Sequence, residues 1–144
     1  MGGAALRSLS TDAELLSLSA RIDPSIPSPL DYYPLPPGTR GERFPSCDPS
    51  RLPALGPAPA DRAEYLHGLL ESIARVEAEG YRLLGRLGAT RLQRVATAGG
   101  GARNPQWTEM RRRVLGVPVE AAGGPGGGEA AYGSALLARG DWGL

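Results

Sequence analysis

The chain has 144 residues, the size of one ordinary domain, and can bury a core of its own. Its charges nearly balance at a net +1, which argues against nucleic acid or an anionic membrane surface as a partner. No apolar run is long enough to span a membrane, and Met1 is not followed by a secretion signal. We therefore expect a cytoplasmic protein, or an organellar one if a targeting segment precedes Met1. The single Cys47 cannot form an internal disulfide, which fits a reducing compartment.

The first part of the chain is predicted to be helical. The helix pattern runs from Gly3 to about Ile22 in two pieces, with Thr11 or Asp12 capping the second and Pro24 ending it.

Residues 23–60 contain most of the fourteen prolines, which excludes a regular helix and predicts an extended, turn-rich excursion. Its aromatic residues Tyr32, Tyr33 and Phe44 argue against plain disorder and indicate that the excursion covers a neighbouring surface.

The longest predicted helix starts after Asp61 and ends at Gly88. Its apolar residues step by threes and fours and form one stripe: Leu66, Leu69, Leu70, Ile73, Val76, Gly80, Leu83, Leu84 and Leu87. Glu71 and Arg75 are expected to pair on the far face of the helix. We interpret His67 as a partly buried packing residue, because no second histidine or pair of carboxylates accompanies it.

A strand at Arg94–Thr97, a helix from Asn104 to Leu115 and a strand at Val117–Glu120 are predicted next. A glycine-rich connector at 123–128 and a last helix at 129–138 complete the chain. The connector lacks the lysine and hydroxyl residue of a phosphate-binding loop. Arg111, Arg112 and Arg113 point to different sides of their helix, so we expect a solvated face and not a phosphate clamp.

The most informative stretch is the glycine turn between the first strand and its helix. Gly99, Gly100 and Gly101 carry no Cβ, so a flat ligand can approach the backbone closely. Asn104 and Pro105 form a good helix start, whose dipole favours partial negative charge. Glycines before a helix are also common in plain connections, so the turn predicts a nucleotide site only together with its surroundings.

Those surroundings resemble a known family. The stretch from Ala98 reads AGGGARNPQWTEMRRRVLGVPVEAA, then the glycine-rich insert, then EAAYGSALLA. This order resembles the C-terminal domain of FGGY-type carbohydrate kinases. Upstream, MGGAALR at 1–7, DYYPLPPGTRGERFP at 31–45 and DRAEYLHGLLESIARVEAEGY at 61–81 resemble the branch that acts on ketopentoses such as D-ribulose or D-xylulose.

The resemblance implies an α/β fold: a partial actin-like (ribonuclease H-like) ATPase domain, the C-terminal portion of the second domain of a sugar kinase. Residues 1–144 would then be this partial domain, with 61–144 as its nucleotide-side core. The excursion at 23–60 would cover the kinase core, and it would be mobile if that core is missing. The implied chemistry is transfer of the γ-phosphoryl group of ATP, bound with Mg²⁺, to a sugar hydroxyl.

The resemblance places Gly100 and Asn104 beside the adenine nucleotide, with Gly99 and Gly101 shaping the turn. It also places Gly3 and Arg7, from the start of the chain, near the nucleotide. The family's catalytic aspartate and Mg²⁺ ligands have no counterpart in the sequence, so the sugar would bind only with an N-terminal domain. Three alternatives stay open. The chain is a split or truncated kinase half that is inactive alone, a noncatalytic nucleotide-binding or interaction remnant, or an incomplete sequence of a full enzyme.

Overall fold

The structure, a computed structural model, describes residues 11–35, 38 and 48–122. These residues form a small mixed α/β unit whose elements, in chain order, are α1 (Asp12–Ser19), α2 (Arg62–Arg86), β1 (Val95–Thr97), a 3₁₀ turn (Gly100–Arg103), α3 (Pro105–Leu115) and β2 (Val119–Ala121). The predicted helical piece near Gly3, Cys47, Phe44, the connector at 123–128 and the helix at 129–138 lie outside the described residues.

Helix α1 begins as its sequence predicts. The Thr11 hydroxyl accepts from the Glu14 backbone N–H, and the Glu14 carboxylate accepts from the Thr11 N–H, so the two residues form a capping box. The helix ends at Ser19, however, before both Ile22 and Pro24. The backbone N–H groups of Arg21 and Ile22 bond three residues back, which tightens the chain into a turn there.

Helix α2 also has the predicted ends. Asp61 caps its first turn by accepting from the Ala63 N–H, and Gly88 follows the last turn with a φ of +90°, a conformation that favours glycine. The predicted apolar stripe is buried only over part of the helix, because Leu84 is 48% exposed and Leu87 is 75% exposed. The C-terminal end of the predicted stripe is therefore exposed to solvent.

Strands β1 and β2 pair in parallel, with α3 as the crossover between them. Val95 lies opposite Val119, and both side chains are buried. The second strand is shifted by two residues from the predicted start at Val117. Since a parallel pair joined by one helix brings both strand ends to the same edge, the residues after Thr97 and after Ala121 meet there.

The three helices share one core. Ile22, Leu66, Leu70 and Met110 are buried together, and Leu15, Leu18 and Trp107 pack against them. The core therefore ties the start of α3, and the glycine turn before it, to both earlier helices.

The proline-rich segment, the described part of the excursion at 23–60, covers a neighbouring surface, as predicted, and that surface is α2 of this same chain. Its two arms join where Tyr33 and Ala54 exchange backbone hydrogen bonds, and the Tyr32 N–H donates to the Ser72 hydroxyl. Gly68 makes room on α2, since a Cβ there would lie 2.7 Å from the Tyr32 ring. Small residues on one face of α2 provide the docking surface.

Candidate functional site

The glycine turn lies at the carboxyl end of β1, where open parallel sheets commonly bind ligands. The predicted turn between strand and helix is present, and its residues Gly100–Arg103 form a 3₁₀ turn. Asn104 then caps α3, Pro105 occupies its first turn, and Gly116 ends it in the left-handed conformation, all as the sequence predicts.

The three glycines of this turn are under different constraints. Gly99 has a φ of +80°, which a side chain would strain. Gly101 lies under the Trp107 indole, because a Cβ there would be 3.3 Å from Nε1. Gly100 has neither constraint, and a Cβ on it would meet nothing within 4 Å. The packing of the described residues therefore does not require a glycine at this position, where a Cβ would point into open space.

The Asn104 side chain is engaged within the fold. Its Oδ1 accepts from the Trp107 N–H at 3.0 Å, and its Nδ2 donates to the Ser19 hydroxyl at 2.8 Å. Asn104 therefore positions α3 and joins it to α1. Contact between Asn104 and a nucleotide stays a prediction.

The start of α3 has limited capacity for an anion. Pro105 has no N–H, and the N–H of Trp107 is taken by Asn104, so two of the first three helical positions offer no donor to a phosphate. The turn is better suited to an uncharged part of a ligand than to its phosphates.

An open groove of about 640 Å³ adjoins the turn. It is lined by Pro24, Ala102, Arg103, Pro105, Gln106, Thr108, Glu109, Arg112 and Ala121. The predicted Gly99, Gly100, Gly101 and Asn104 are next to these lining residues in the chain but are not among them. Sequence reasoning missed the groove, although the spacing by three of Gln106, Glu109 and Arg112 could have indicated one polar helix face.

The two charged helix residues that line the groove are paired with each other. Arg112 donates to the Glu109 carboxylate at 2.8 Å and, through Nε, to the Val119 carbonyl at 2.9 Å. The hydrogen bond to Val119 holds α3 against β2, and Arg103 adds a second arginine to the groove wall.

The expectation of a solvated arginine face is wrong. Arg111 is only 6% exposed and binds both carboxylate oxygens of Glu77, at 2.8 and 2.6 Å. Arg113 is half-buried and donates to Glu71 and to the Pro24 carbonyl. The three arginines do point to different partners, as predicted, but α2 and the proline-rich segment cover two of them.

Glu71 is the centre of a buried polar cluster and does not lie on an exposed face of α2. The predicted pair with Arg75 is present at 3.1 Å, but Glu71 also accepts from the Ser28 N–H at 3.0 Å and from Arg113 at 2.7 Å. Burial alone would raise the pKa of Glu71, but the hydrogen bonds from Arg113 and Ser28 and the two positive charges outweigh it, so the pKa is lowered.

His67 is partly buried, as predicted, and lies beside one carboxylate, that of Glu71. Its Nε2 lies 3.3 Å from a Glu71 oxygen, without a hydrogen bond in the described part of the chain. That oxygen already accepts from Ser28 and Arg113. The arrangement is a packing contact at the edge of the cluster.

Two of the predicted nucleotide-binding residues, Gly3 and Arg7, lie outside the described residues, and their contact with a nucleotide stays a prediction. Within 11–35, 38 and 48–122, no three histidine, cysteine or acidic side chains come together as a metal site. No helix among these residues has the length and hydropathy needed to cross a membrane.

The geometry agrees with a comparison to known families. A family model for the C-terminal domain of the FGGY family of carbohydrate kinases matches residues 4–139, nearly the whole chain. The matched range includes every described element and the glycine turn, and it confirms the family suggested by the motif order. The chain belongs to the FGGY family of carbohydrate kinases, and the matched part is their C-terminal domain.

Proposed function

We propose that this chain supplies the adenine-nucleotide side of a kinase that transfers the γ-phosphoryl group of ATP to a ketopentose such as D-ribulose or D-xylulose. The adenosine part of the nucleotide binds at the glycine turn, with Gly99, Gly100, Gly101 and Asn104 beside it. Gly3 and Arg7 contribute from the start of the chain.

The observation that carries the proposal is the open space at Gly100. Nothing among the described residues requires a glycine there, whereas Gly99 and Gly101 are explained by backbone conformation and by Trp107. A ligand that lies against the backbone would account for the missing side chain. The groove next to the turn has polar side chains, Gln106 and Thr108 among them, that can form hydrogen bonds with a base and a ribose.

ATP is used with Mg²⁺ in this family. The described residues fit the adenosine part of this cofactor but not the metal ion. The turn fits adenosine, for the reasons given above. No cluster of acidic side chains in the described part fits the metal, so we derive no step through it. When bound, Mg-ATP supplies the phosphoryl group, and this chain's own residues hold the nucleoside end.

The sugar preference rests on sequence similarity alone. The stretches at 31–45 and 61–81 resemble the ketopentose branch, and their described residues form the contact between the proline-rich segment and α2. Because the resemblance places the catalytic aspartate in another domain, we propose that the chain by itself does not phosphorylate sugar. Closure of two domains over the substrate also excludes water in such reactions.

A second candidate is a noncatalytic member of the same fold that acts as an interaction module. Both polar atoms of the Asn104 side chain serve the fold, through Trp107 and Ser19, so its presence requires no ligand.

The test is calorimetric titration of the chain with Mg-ATP and ADP, comparing wild type with Gly100→Ala. A Cβ at the proposed contact is expected to weaken binding about tenfold or more, which corresponds to ~1.4 kcal/mol. Gly85→Ala is the matched control, because a Cβ on that helical glycine also meets nothing within 4 Å. Equal binding by Gly100→Ala and wild type would refute the site.

Absence of binding by folded wild-type chain would refute the nucleotide role and favour the interaction module. Phosphorylation of D-ribulose or D-xylulose by the chain alone would refute the proposed inactivity.

A further inference from the structure

We infer that Ser19 is a positioning residue for the nucleotide turn, acting through the side chain of Asn104. The inference rests on the proposed function and extends it from the glycines to a buried hydroxyl on another helix. Sequence reasoning assigned no role to Ser19, which is 85 residues away from Asn104.

A buried hydrogen bond from the Asn104 amide to Ser19 restrains the Asn104 side chain. Ser19 is the last residue of α1, is 2% exposed, and accepts from Asn104 Nδ2 at 2.8 Å. The opposite end of the amide, Oδ1, accepts from the Trp107 N–H at 3.0 Å. The Trp107 N–H fixes the orientation of the amide plane, because an amide rotated by half a turn would present a donor to it. The Ser19 hydroxyl, which can donate or accept, adds a second hydrogen bond that restrains the position of the Asn104 side chain.

A second contact carries this orientation to the glycine turn. Trp107 is held by Asn104 at its backbone, and its indole lies against Gly101, where a Cβ would be 3.3 Å from Nε1. A continuous set of contacts therefore runs from Ser19 through Asn104 and Trp107 to Gly101. Gly100, the proposed nucleotide contact, directly precedes Gly101 in the chain.

The position of Ser19 depends on the packing of α1. Ser19 lies in the last turn of this helix, which Leu15 and Leu18 hold against the core. A displacement of α1 would move the partner of the Asn104 amide and, through it, the start of α3.

The test begins with ¹⁵N NMR of the full chain without nucleotide. Ser19→Ala is expected to shift the backbone amide signals of Gly99, Gly100 and Gly101, and Ser17→Ala, on the exposed side of the same helix, is expected to leave them unchanged. In an Asn104→Ala background the Ser19→Ala change should have no further effect on these signals, because its route is already broken. Additive effects of Ser19→Ala and Asn104→Ala on these signals would show that Ser19 acts only through general packing, and they would refute the inference.

The second readout is the affinity for Mg-ATP. Ser19→Ala is expected to weaken binding about fivefold, or ~1 kcal/mol, while Ser17→Ala binds as wild type. Should Ser19→Ala fail to fold, Ser19→Cys replaces it, because the thiol nearly keeps the shape of the side chain but accepts hydrogen bonds weakly.

The outcomes separate the two proposals. Binding by wild type and equal binding by Ser19→Ala would refute the positioning role and leave the site intact. No binding by wild type would refute the proposed function, and the inference for the nucleotide site would fall with it. The NMR cycle would then decide only whether Ser19 orders the turn.

Discussion

Replacing Glu71 by glutamine is expected to destabilise the protein strongly, although the two side chains have nearly the same shape. The Glu71 carboxylate is 2% exposed and accepts hydrogen bonds from Arg113, Arg75 and the Ser28 N–H. A glutamine would remove the negative charge and direct an N–H₂ group, itself a donor, toward the groups that donate to Glu71.

The magnitude follows from the burial of each partner. Breaking a buried ion pair by removing one member costs about 3–5 kcal/mol. Arg113 is 25% exposed and Arg75 is 37% exposed, so water can recover part of their solvation. We therefore expect the lower end, a loss of about 3 kcal/mol in the free energy of unfolding, or about 10 °C in Tm for a chain of this size.

The assay is urea unfolding of Glu71→Gln and of Glu79→Gln, followed by circular dichroism. Glu79 is on the same helix and pairs with Arg82 and Arg86, but its side chain is 40% exposed. Exposed pairs contribute about 0.2–1 kcal/mol, so the control should lose under 1 kcal/mol. Equal losses in the two variants would refute the argument that burial gives the Glu71 cluster its energy.

The same cluster predicts a dependence on pH. The pKa of Glu71 is lowered in the folded protein from the ordinary value of 4.5, so the unfolded chain takes up the proton first as the pH falls. The contribution of Glu71 to stability is complete above pH 4.5 and is lost as the pH falls through the folded-state pKa. The difference between wild type and Glu71→Gln should therefore shrink below pH 4.5, and a difference that grows there would contradict the assignment.

Two further substitutions test the packing around α2. Gly68→Ala should lower the free energy of unfolding by about 1–3 kcal/mol, since its Cβ would overlap the proline-rich segment. Gly85→Ala, on the same helix but with open space around its Cβ, should be neutral or stabilising by up to ~1 kcal/mol. A larger loss of stability in Gly85→Ala than in Gly68→Ala, measured by urea unfolding, would refute the close contact at Gly68. Arg111→Lys should cost about 1–2 kcal/mol, because lysine cannot hold both oxygens of Glu77. The exposed Arg82→Lys should cost under 0.5 kcal/mol, and equal losses in these two arginine variants would contradict the buried pair.

The sequence by itself determined the local features of this fold and its family. Thr11, Asp61 and Asn104 cap the helices that they were predicted to cap, and Gly88 and Gly116 end two of them. These features depend on a few consecutive residues, whose hydrogen-bonding groups and backbone freedom can be seen directly in the sequence. The order of motifs around the glycine turn was sufficient to identify the FGGY family, which the family match confirmed.

Only the tertiary structure decided which distant residues meet. The spacing of Glu71 and Arg75 predicted their pair, but not that Arg113 and Ser28 would bury it. Nothing local to Ser19 indicated Asn104, and nothing local to Arg111 indicated Glu77. Such contacts depend on how α1, α2 and α3 pack around a shared core. That packing buries charged side chains and pairs them with residues far away in the sequence. Helical periodicity describes one element at a time, so it carries no information about these neighbours.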